Sequence, residues 1–384
     1  MLRLRLVAAS LIVLLLSRAL PTAASEPFRY PEATYGKGEL RYVNGLPVVI
    51  LEGSPAELGE QLARLTAKSA SRLVNYPKDY LKAQGMESTW PALVAAARAM
   101  LPQFPPDYRA QMEAAVKASG VDRDAVIVGN TMFDLKKLAG CSALLIDAAH
   151  STTHGLLFGR NLDFPNLGYL HEYSLVFVVK PQGKHAFVSV GFPGILGCLS
   201  GMNDAGLTLA TLEVHSSRDG AVNLDPRGVP YALCFRRILE ECSTVEEAEK
   251  LLRSTRRTTM NNLAIADRYG GAIFETTPKS VVVRQPVDGI CACTNHFRTR
   301  ELATSLSCPR YEALDKSREQ PLLGLGALAE RLHAANQGKK TLQTMIFEPA
   351  ALKLHLAIGE CPSSALPLKL LDLKPFFNRM AAAE

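Results

Sequence analysis

The sequence predicts an α+β protein, because segments with helical periodicity and short apolar runs typical of strands occupy separate blocks of the chain. Helical patterns fill the first third, strands follow residue 141, two helices interrupt them after Pro230, and strands then return. Elements segregated in this way favour sheets covered by helices over a βαβ alternation.

The first residues have the pattern of a secretory signal peptide. Arg3 and Arg5 precede an apolar run, and small residues up to Ala24 follow it. Arg18 interrupts the run and leaves it short for a membrane span, although an uncleaved anchor stays open. We therefore expect residues 1–24 to be removed, giving a secreted or periplasmic protein with no stable membrane span in its mature form.

Four helices are predicted before residue 141. In the first, Ser54, Pro55 and Glu57 supply an N-cap, a first-turn proline and a capping-box acid. Proline, glycine and aspartate bound the other three, which are expected at about 89–101, 108–118 and 122–138. Residues 25–140 are thus predicted to be a mainly helical N-terminal segment.

Strands are predicted after residue 141, where Gly, Pro, Asn and Asp turns separate short apolar runs. The runs before the helix pair are 143–146, 155–159, 174–179, 186–190 and 206–212. Helices are expected at 230–241 and after Ser243, which forms a second capping box with Glu246. The later strands are expected at 263–266, 272–275, 281–284 and 346–357. Residues 141–384 form the predicted core.

Composition argues against two classes of ligand. The chain has 43 Lys+Arg against 37 Asp+Glu, a net charge of +6, and these residues are scattered, so a nucleic-acid role is poorly supported. Cys291 and Cys293 stand too close together for a zinc motif, and packing or a disulfide to Cys308 suits them better. His150 and His154 lie in a predicted hairpin, not on a helix. No cofactor or metal is expected.

Cys141 follows Gly140 at a helix-to-strand junction, where a cysteine could be core filler, half of a disulfide, a metal ligand or a nucleophile. A predicted hairpin carries Arg160 and Asp163 back beside it. Residues three apart point to opposite faces of a regular strand, so the chain must bend at residues 161–162 if both are to reach the thiol.

Several motifs, in order, carry a resemblance. They are G-C at 140–141, G-R-N-L-D-F at 159–164, "GFPGILGCLSGMNDAGL" at 191–207 and "CTNHF" at 293–297. With these motifs the chain resembles the N-terminal-nucleophile hydrolases. Within them it is similar to the isopenicillin N acyltransferase group and its relatives acid ceramidase, N-acylethanolamine acid amidase and choloylglycine (bile-salt) hydrolase.

The resemblance implies a four-layer αββα fold made as an inactive precursor. The Cys141 thiol would cut the bond between Gly140 and Cys141, and the two chains, 25–140 and 141–384, would stay associated. The freed α-amine, with a reference pKa near 8, could then act as the base without any histidine.

The resemblance also implies roles for individual residues. Arg160 would favour the thiolate, and Asp163 would orient the α-ammonium. Asn295, through its side-chain amide, and Asn203, through its backbone N–H, would donate to the oxyanion. Arg310 matches a further family arginine that supports the site.

Some alternatives stay open at this stage. Arg298 and Arg300 are closer in sequence than Arg310 to Asn295 and could take its place. The expected reaction is hydrolysis of a small N-acyl amide, or transfer of its acyl group to an amine. Fatty-acyl amides, N-acyl amino acids, bile-salt conjugates and β-lactam side chains all remain possible substrates. The rivals are an uncleaved thiol hydrolase with His154 or His296 as base, and an exported binding protein.

Overall fold

The computed structural model describes residues 28–378, so the predicted signal peptide lies outside the described part. The strands of this part are β1 Ala33–Tyr35, β2 Gly38–Val43, β3 Leu46–Gly53, β4 Gly140–Ile146, β5 Leu157–Asp163, β6 Leu175–Pro181, β7 Phe187–Gly191, β8 Ser200–Asn203, β9 Thr208–Glu213, β10 Asn261–Ala266, β11 Gly271–Thr276, β12 Val281–Arg284, β13 Ile290–Cys293, β14 Thr341–Glu348, β15 Lys353–Ile358 and β16 Lys369–Asp372. Its α-helices are α1 Pro55–Thr66, α2 Tyr76–Ala83, α3 Trp90–Met100, α4 Pro106–Ser119, α5 Arg123–Lys136, α6 Tyr231–Glu241, α7 Val245–Ser254, α8 Pro309–Asp315, α9 Leu325–Ala334 and α10 Lys374–Phe377.

The strands form two sheets. The larger has ten strands in the order β1-β2-β3-β6-β7-β8-β9-β10-β11-β12, and the smaller has six in the order β13-β4-β5-β14-β15-β16. Neighbouring strands are antiparallel except β3 and β6, which pair in parallel. The N-terminal segment therefore contributes three strands to the larger sheet.

The two sheets pack face to face between helices. Along β4, Ala143 and Leu145 join the large core cluster, which also holds side chains of the larger sheet, whereas Leu144 and Ile146 pack with residues of α8 and α9. On the outer face of the larger sheet, α1 contacts β2 and β3, while α6 contacts β8 and β9. This is the four-layer αββα arrangement that the resemblance implies, so the predicted fold class is confirmed.

All four predicted helices of the N-terminal segment are present, and α2 was not predicted. Ser54 caps α1 in a complete capping box: its hydroxyl accepts from the Glu57 N–H, and the Glu57 carboxylate accepts from the Ser54 N–H. Strands β1 to β3 were not predicted, although a signal for them exists. Asn44 and Gly45, with φ of 50° and 72°, form the two-residue turn between β2 and β3, and Asn-Gly is a strong hairpin signal.

Two local predictions are wrong. Residues 346–357 form parts of two antiparallel strands, β14 and β15, instead of one strand. The N-cap of α7 is Thr244, whose hydroxyl accepts from the Glu247 N–H, so the predicted capping box of Ser243 and Glu246 does not form. Within residues 28–378, no helix is long and apolar enough to cross a membrane.

Candidate active site

Cys141 is the second residue of β4, a strand that lies between β13 and β5 in the smaller sheet. Its side chain is fully buried. Side chains alternate along a strand, and Ala143 and Leu145 belong to the core between the sheets, so the thiol also points between the sheets. The junction with Gly140 is thus part of a regular strand.

Arg160 reaches the thiol, as the resemblance implies. It pairs with Ala143 in the register of β4 and β5, which places it on the same face as Cys141. The buried guanidinium donates to Ser200 Oγ at 2.5 Å and to the Asn161 carbonyl at 3.0 Å. Burial raises the pKa of the Cys141 thiol, and the charge and hydrogen bond of Arg160 oppose that rise.

Asp163 lies on the other face of the strand, because β5 continues regularly to this residue; the predicted bend is wrong. Asp163 pairs with Gly140, and its carboxylate accepts from Thr341 Oγ1 at 2.5 Å and from Gln337 Nε2 at 2.8 Å. Arg310 Nη1 lies 3.7 Å from the same carboxylate. Burial raises the pKa of Asp163.

Asn295 and Arg310 hold the junction from its other side. Asn295 Oδ1 accepts from the Cys141 N–H at 2.6 Å, and its Nδ2 donates to the carbonyls of Ala139 at 3.2 Å and Glu213 at 2.9 Å. Arg310 donates to the Cys141 carbonyl at 2.6 Å and to Asn295 Oδ1 at 2.9 Å. Both side chains therefore contact the backbone that the resemblance predicts to be cut.

Arg298 does not share this position. Its guanidinium lies 3.7 Å above the Tyr311 ring and donates to the Leu306 carbonyl. Arg300 is in an exposed turn. Of the three arginines considered from the sequence, Arg310 is the one that the structure brings to Cys141.

Asn203 is not brought to the thiol. Its N–H donates to the Leu207 carbonyl at 2.9 Å, and its Oδ1 accepts from the N–H groups of Ala205 and Leu207. Its Nδ2 donates to the carbonyls of Leu239 and Cys242 near the end of α6. The side chain of Asn203 therefore stabilises a turn and connects it by hydrogen bonds to the end of α6. Because its N–H already donates to the Leu207 carbonyl, it cannot donate to an oxyanion in this conformation.

Glu213 was missed by the sequence analysis, yet it lies at the junction. It ends β9 and is 1% exposed, and its Oε2 accepts from the Ala139 N–H at 2.7 Å. Its Oε1 accepts from the Tyr231 hydroxyl at 2.7 Å. Burial raises the pKa of Glu213 to about 8. An acid that ends an apolar strand was the only signal in the sequence.

Two more ionisable groups surround this carboxyl. Asp134 accepts from the Tyr231 N–H at 3.2 Å and from the Thr258 hydroxyl, and burial raises its pKa to about 7. Lys137 donates to the Val214 carbonyl at 2.6 Å, and burial lowers its pKa to about 8. Burial therefore disfavours the charged form of both acids, Asp134 and Glu213, and of the base Lys137 near the junction.

Gln337 is a second residue that the sequence did not indicate. A Cβ atom built on Gly140 would collide with the Gln337 amide, which hydrogen-bonds Asp163. The glycine thus leaves room for the Gln337 amide in its present position, and its φ is not in the left-handed region.

The two candidate histidine bases are poorly placed. The His296 ring contacts Thr294 Oγ1 at 3.2 Å and Arg298 Nη1 at 3.4 Å, and burial together with nearby arginines lowers its pKa to about 4. His154 lies in the turn between β4 and β5, at the opposite end of that hairpin from Cys141. Neither ring hydrogen-bonds the thiol in the described chain.

The other cysteines do not form disulfides in this structure: all eight lie within residues 28–378 and all are free. Cys308 accepts from the Tyr311 N–H at 3.4 Å and lies 3.6 Å from Thr294 Oγ1. Among the described residues, no group of three or more His, Cys, Asp or Glu side chains could hold a metal ion.

Comparison with known proteins gives a family match. The sequence model of the acyl-coenzyme A:6-aminopenicillanic acid acyl-transferase family matches residues 150–322, a stretch that includes Arg160, Asp163, Asn295 and Arg310. An uncharacterized protein of Archaeoglobus fulgidus is 25% identical over 301 residues, which are 70% of this chain. The chain spans about half (48%) of the length of that relative.

Several solved structures are similar at low identity. A mutant of the conjugated bile acid hydrolase from Clostridium perfringens is 14% identical, with 61% of this chain and 93% of that chain covered and a TM-score of 0.40. The Caenorhabditis elegans N-acylethanolamine-hydrolyzing acid amidase ortholog is 15% identical, with coverages of 55% and 93% and a TM-score of 0.44. Penicillin V acylase from Agrobacterium tumefaciens is 14% identical, with coverages of 61% and 86% and a TM-score of 0.42.

The family match begins just after Cys141 and contains the residues that surround it. It confirms the resemblance to the isopenicillin N acyltransferase group for the part of the chain from residue 150 to residue 322.

Proposed function

We propose that this chain is an exported, self-cleaving amide hydrolase or acyltransferase that uses Cys141 as its nucleophile. The observation that carries the proposal is the contact set at the junction. Arg160 lies beside the thiol, and Asn295 and Arg310 hydrogen-bond the N–H and the carbonyl of Cys141. A buried filler cysteine would not need a guanidinium beside its thiol.

Self-cleavage breaks the bond between Gly140 and Cys141. The sulfur attacks the Gly140 carbonyl carbon, the C–N bond breaks, and the proton of the thiol passes to the departing nitrogen, which becomes the α-amine. Water then hydrolyses the thioester and leaves a carboxylate on Gly140. Asp163, which pairs with Gly140 in the strand register, would orient the new amine.

The mature reaction repeats the same chemistry on a small N-acyl amide. The α-amine takes the thiol proton, sulfur accepts the acyl group, and water or an amine removes it. Asn295 Nδ2 now donates to the Ala139 carbonyl; when residues up to 140 withdraw, this donor is free for the oxyanion.

The two chains stay together after the cut. Strand β3 from the N-terminal segment pairs with β6 of the core inside the larger sheet, and Val48, Val49 and Leu51 of that strand are buried. Separation would expose both strand edges and their apolar side chains, which strongly opposes it.

The test is a denaturing gel of the purified mature protein with N-terminal sequencing. Two fragments, the second of which begins at Cys141, are expected. Cys141→Ala should stay uncut and inactive, whereas Cys234→Ala, a matched change at another buried cysteine, should be cut normally. An intact chain that still hydrolyses amides would favour a histidine base, and an intact, inactive wild-type chain would favour a binding protein.

A further inference from the structure

The loop that carries Asn295 is held by side chains of the larger sheet. Residues 294–299 follow β13 without regular secondary structure, and we call them the Asn295 loop. A loop lacks the regular hydrogen bonds of a strand or a helix, so its buried backbone groups need other partners. Two buried side chains supply such partners, Asn262 on β10 and Glu275 on β11.

Asn262 binds the loop on both sides of Asn295. Its Nδ2 donates to the Thr294 carbonyl at 2.9 Å and to the His296 carbonyl at 3.0 Å. The amide group thus uses both of its hydrogens on the two residues that flank Asn295. The backbone of Asn295 is therefore held in place relative to the larger sheet.

Glu275 holds the end of the same loop. It lies directly opposite Asn262 in the register of β10 and β11, so the two side chains share a face of the larger sheet. Its Oε1 accepts from the Arg298 N–H at 2.8 Å. Its Oε2 accepts from the Thr299 N–H at 3.0 Å and from the Thr299 hydroxyl at 2.6 Å. Arg284 donates to Oε1 at 3.3 Å and gives the buried carboxylate a cationic partner.

Asn262 acts in this contact set only as a donor. Its Oδ1 is buried and has no hydrogen-bond partner among residues 28–378. An unpaired acceptor in the interior costs stability, and an apolar side chain of similar size would avoid that cost. What the asparagine provides in return is the pair of hydrogen bonds that its Nδ2 makes around Asn295.

The direction of the Asn295 side chain is set by other contacts. Its Oδ1 accepts from the Cys141 N–H and from Arg310, so its Nδ2 faces the Ala139 carbonyl. A displacement of about 1 Å at a reacting centre can cost about a hundredfold in rate. Asn262 and Glu275 thus hold the backbone of a residue whose amide has to be placed accurately.

We propose that Asn262 and Glu275 are positioning residues for the Cys141 reaction, which hold the Asn295 loop so that the Asn295 amide meets the oxyanion. The inference rests on the proposed function. Both side chains act through the loop, because their hydrogen bonds go to its backbone. Since the oxyanion forms only in the transition state, losing either side chain lowers kcat and leaves KM little changed.

The first test is Asn262→Asp, which keeps the shape of the side chain and replaces the Nδ2 donor with an acceptor oxygen. Self-cleavage should be at least tenfold slower on a gel time course, because Asn295 also binds the N–H of the bond that is cut. In the cut fraction, kcat for an N-acyl amide should fall about a hundredfold, while KM stays within about threefold.

Alkylation of Cys141 by iodoacetamide separates positioning from general damage. This reaction forms a C–S bond and releases iodide without an oxyanion, so its rate in the cut Asn262→Asp chain should stay close to that of the wild type. An equal loss of alkylation and amide turnover would overturn the inference, because it would indicate a disturbed thiol. Wild-type rates of self-cleavage and turnover would overturn it as well.

Glu275→Gln is the second variant, and it carries the test if circular dichroism shows that a carboxylate at position 262 prevents folding. It removes a negative charge where Asn262→Asp adds one, so a loss of kcat in both variants cannot come from charge alone. It also replaces one of the two oxygens that accept from the loop. We expect kcat to fall about tenfold with little change in KM or alkylation, and an unchanged kcat would contradict the inference.

Asn130→Asp is the matched control. Asn130 is also buried, and its Nδ2 also donates to two carbonyls, those of Val126 at 2.9 Å and Gly194 at 2.8 Å. These partners belong to α5 and to the segment between β7 and β8, so this variant should keep kcat within about twofold of wild type. An uncut, inactive wild type would defeat the proposed function and this inference together. An active wild type that Asn262→Asp and Glu275→Gln both match would defeat the inference alone.

Discussion

Glu213→Gln tests whether the carboxyl beside the Gly140–Cys141 bond is uncharged at neutral pH. In its protonated form, Glu213 can keep Oε2 as acceptor for the Ala139 N–H and use Oε1–H toward the Tyr231 hydroxyl. Glutamine has the same shape and the same pair of groups, an acceptor and a donor. The substitution therefore imitates the protonated acid without changing the packing.

The direction in which stability changes with pH follows from the raised pKa of Glu213. Below pH 4.5, the ordinary pKa of a glutamate side chain, the acid is protonated in both the folded and the unfolded chain, and it adds no pH dependence. Between 4.5 and about 8, the unfolded chain releases the proton while the folded chain keeps it, so stability falls as pH rises. At 1.36 kcal/mol for each pKa unit, this shift lowers the free energy of unfolding above pH 8 by on the order of 5 kcal/mol relative to its value below pH 4.5.

The assay is urea unfolding across this pH range in the Cys141→Ala background, which keeps the chain in one piece. The free energies of unfolding with Glu213 and with glutamine should agree near pH 4.5 and diverge by about 5 kcal/mol, in favour of glutamine, near pH 8. Glu246→Gln, at an exposed glutamate on α7, is the control and should not diverge in this way. Parallel curves for Glu213 and glutamine would refute the argument that burial keeps this acid neutral.

Three further results are expected. Gly140→Ala forces a methyl group against the Gln337 amide and should slow self-cleavage about tenfold on a gel time course, with recovery in the double variant Gly140→Ala/Gln337→Ala; no slowing would remove the steric reason for the glycine. Ser54→Ala deletes the capping hydroxyl of α1 and should cost about 1 kcal/mol, seen as a thermal midpoint lowered by about 1–2 °C; an unchanged midpoint would contradict this. The double variant His154→Ala/His296→Ala should retain amidase activity within a few-fold of wild type, and loss of activity would favour a histidine base.

The parts of the fold that depend on local chemistry could be predicted from the sequence. The cap at Ser54 and the glycine and proline stops located the helices, because these signals act within a few residues. Pairing partners were harder to predict. The parallel pairing of β3 with β6 joins residues more than a hundred positions apart, and no spacing in the sequence encodes it.

The site also contains residues that local sequence signals predict and residues that they do not. Arg160 could be placed because a hairpin register fixes which residues face Cys141. Asn203 could not, because a turn former and an oxyanion donor look alike until the direction of the N–H is known. Glu213 lies more than seventy residues from the junction in sequence, and its importance rests on burial, which only the three-dimensional structure shows.

The parallel pairing of β3 and β6 also fixes an order of events. A core made on its own, starting at Cys141, would leave β6 without its neighbour and expose buried residues such as Val176 and Val178, a bare edge that invites aggregation. Assembly of the sheet would therefore have to come before the proposed cut. We expect two pieces produced by that cut and separated by denaturant to refold together poorly, so that each molecule would be activated only once.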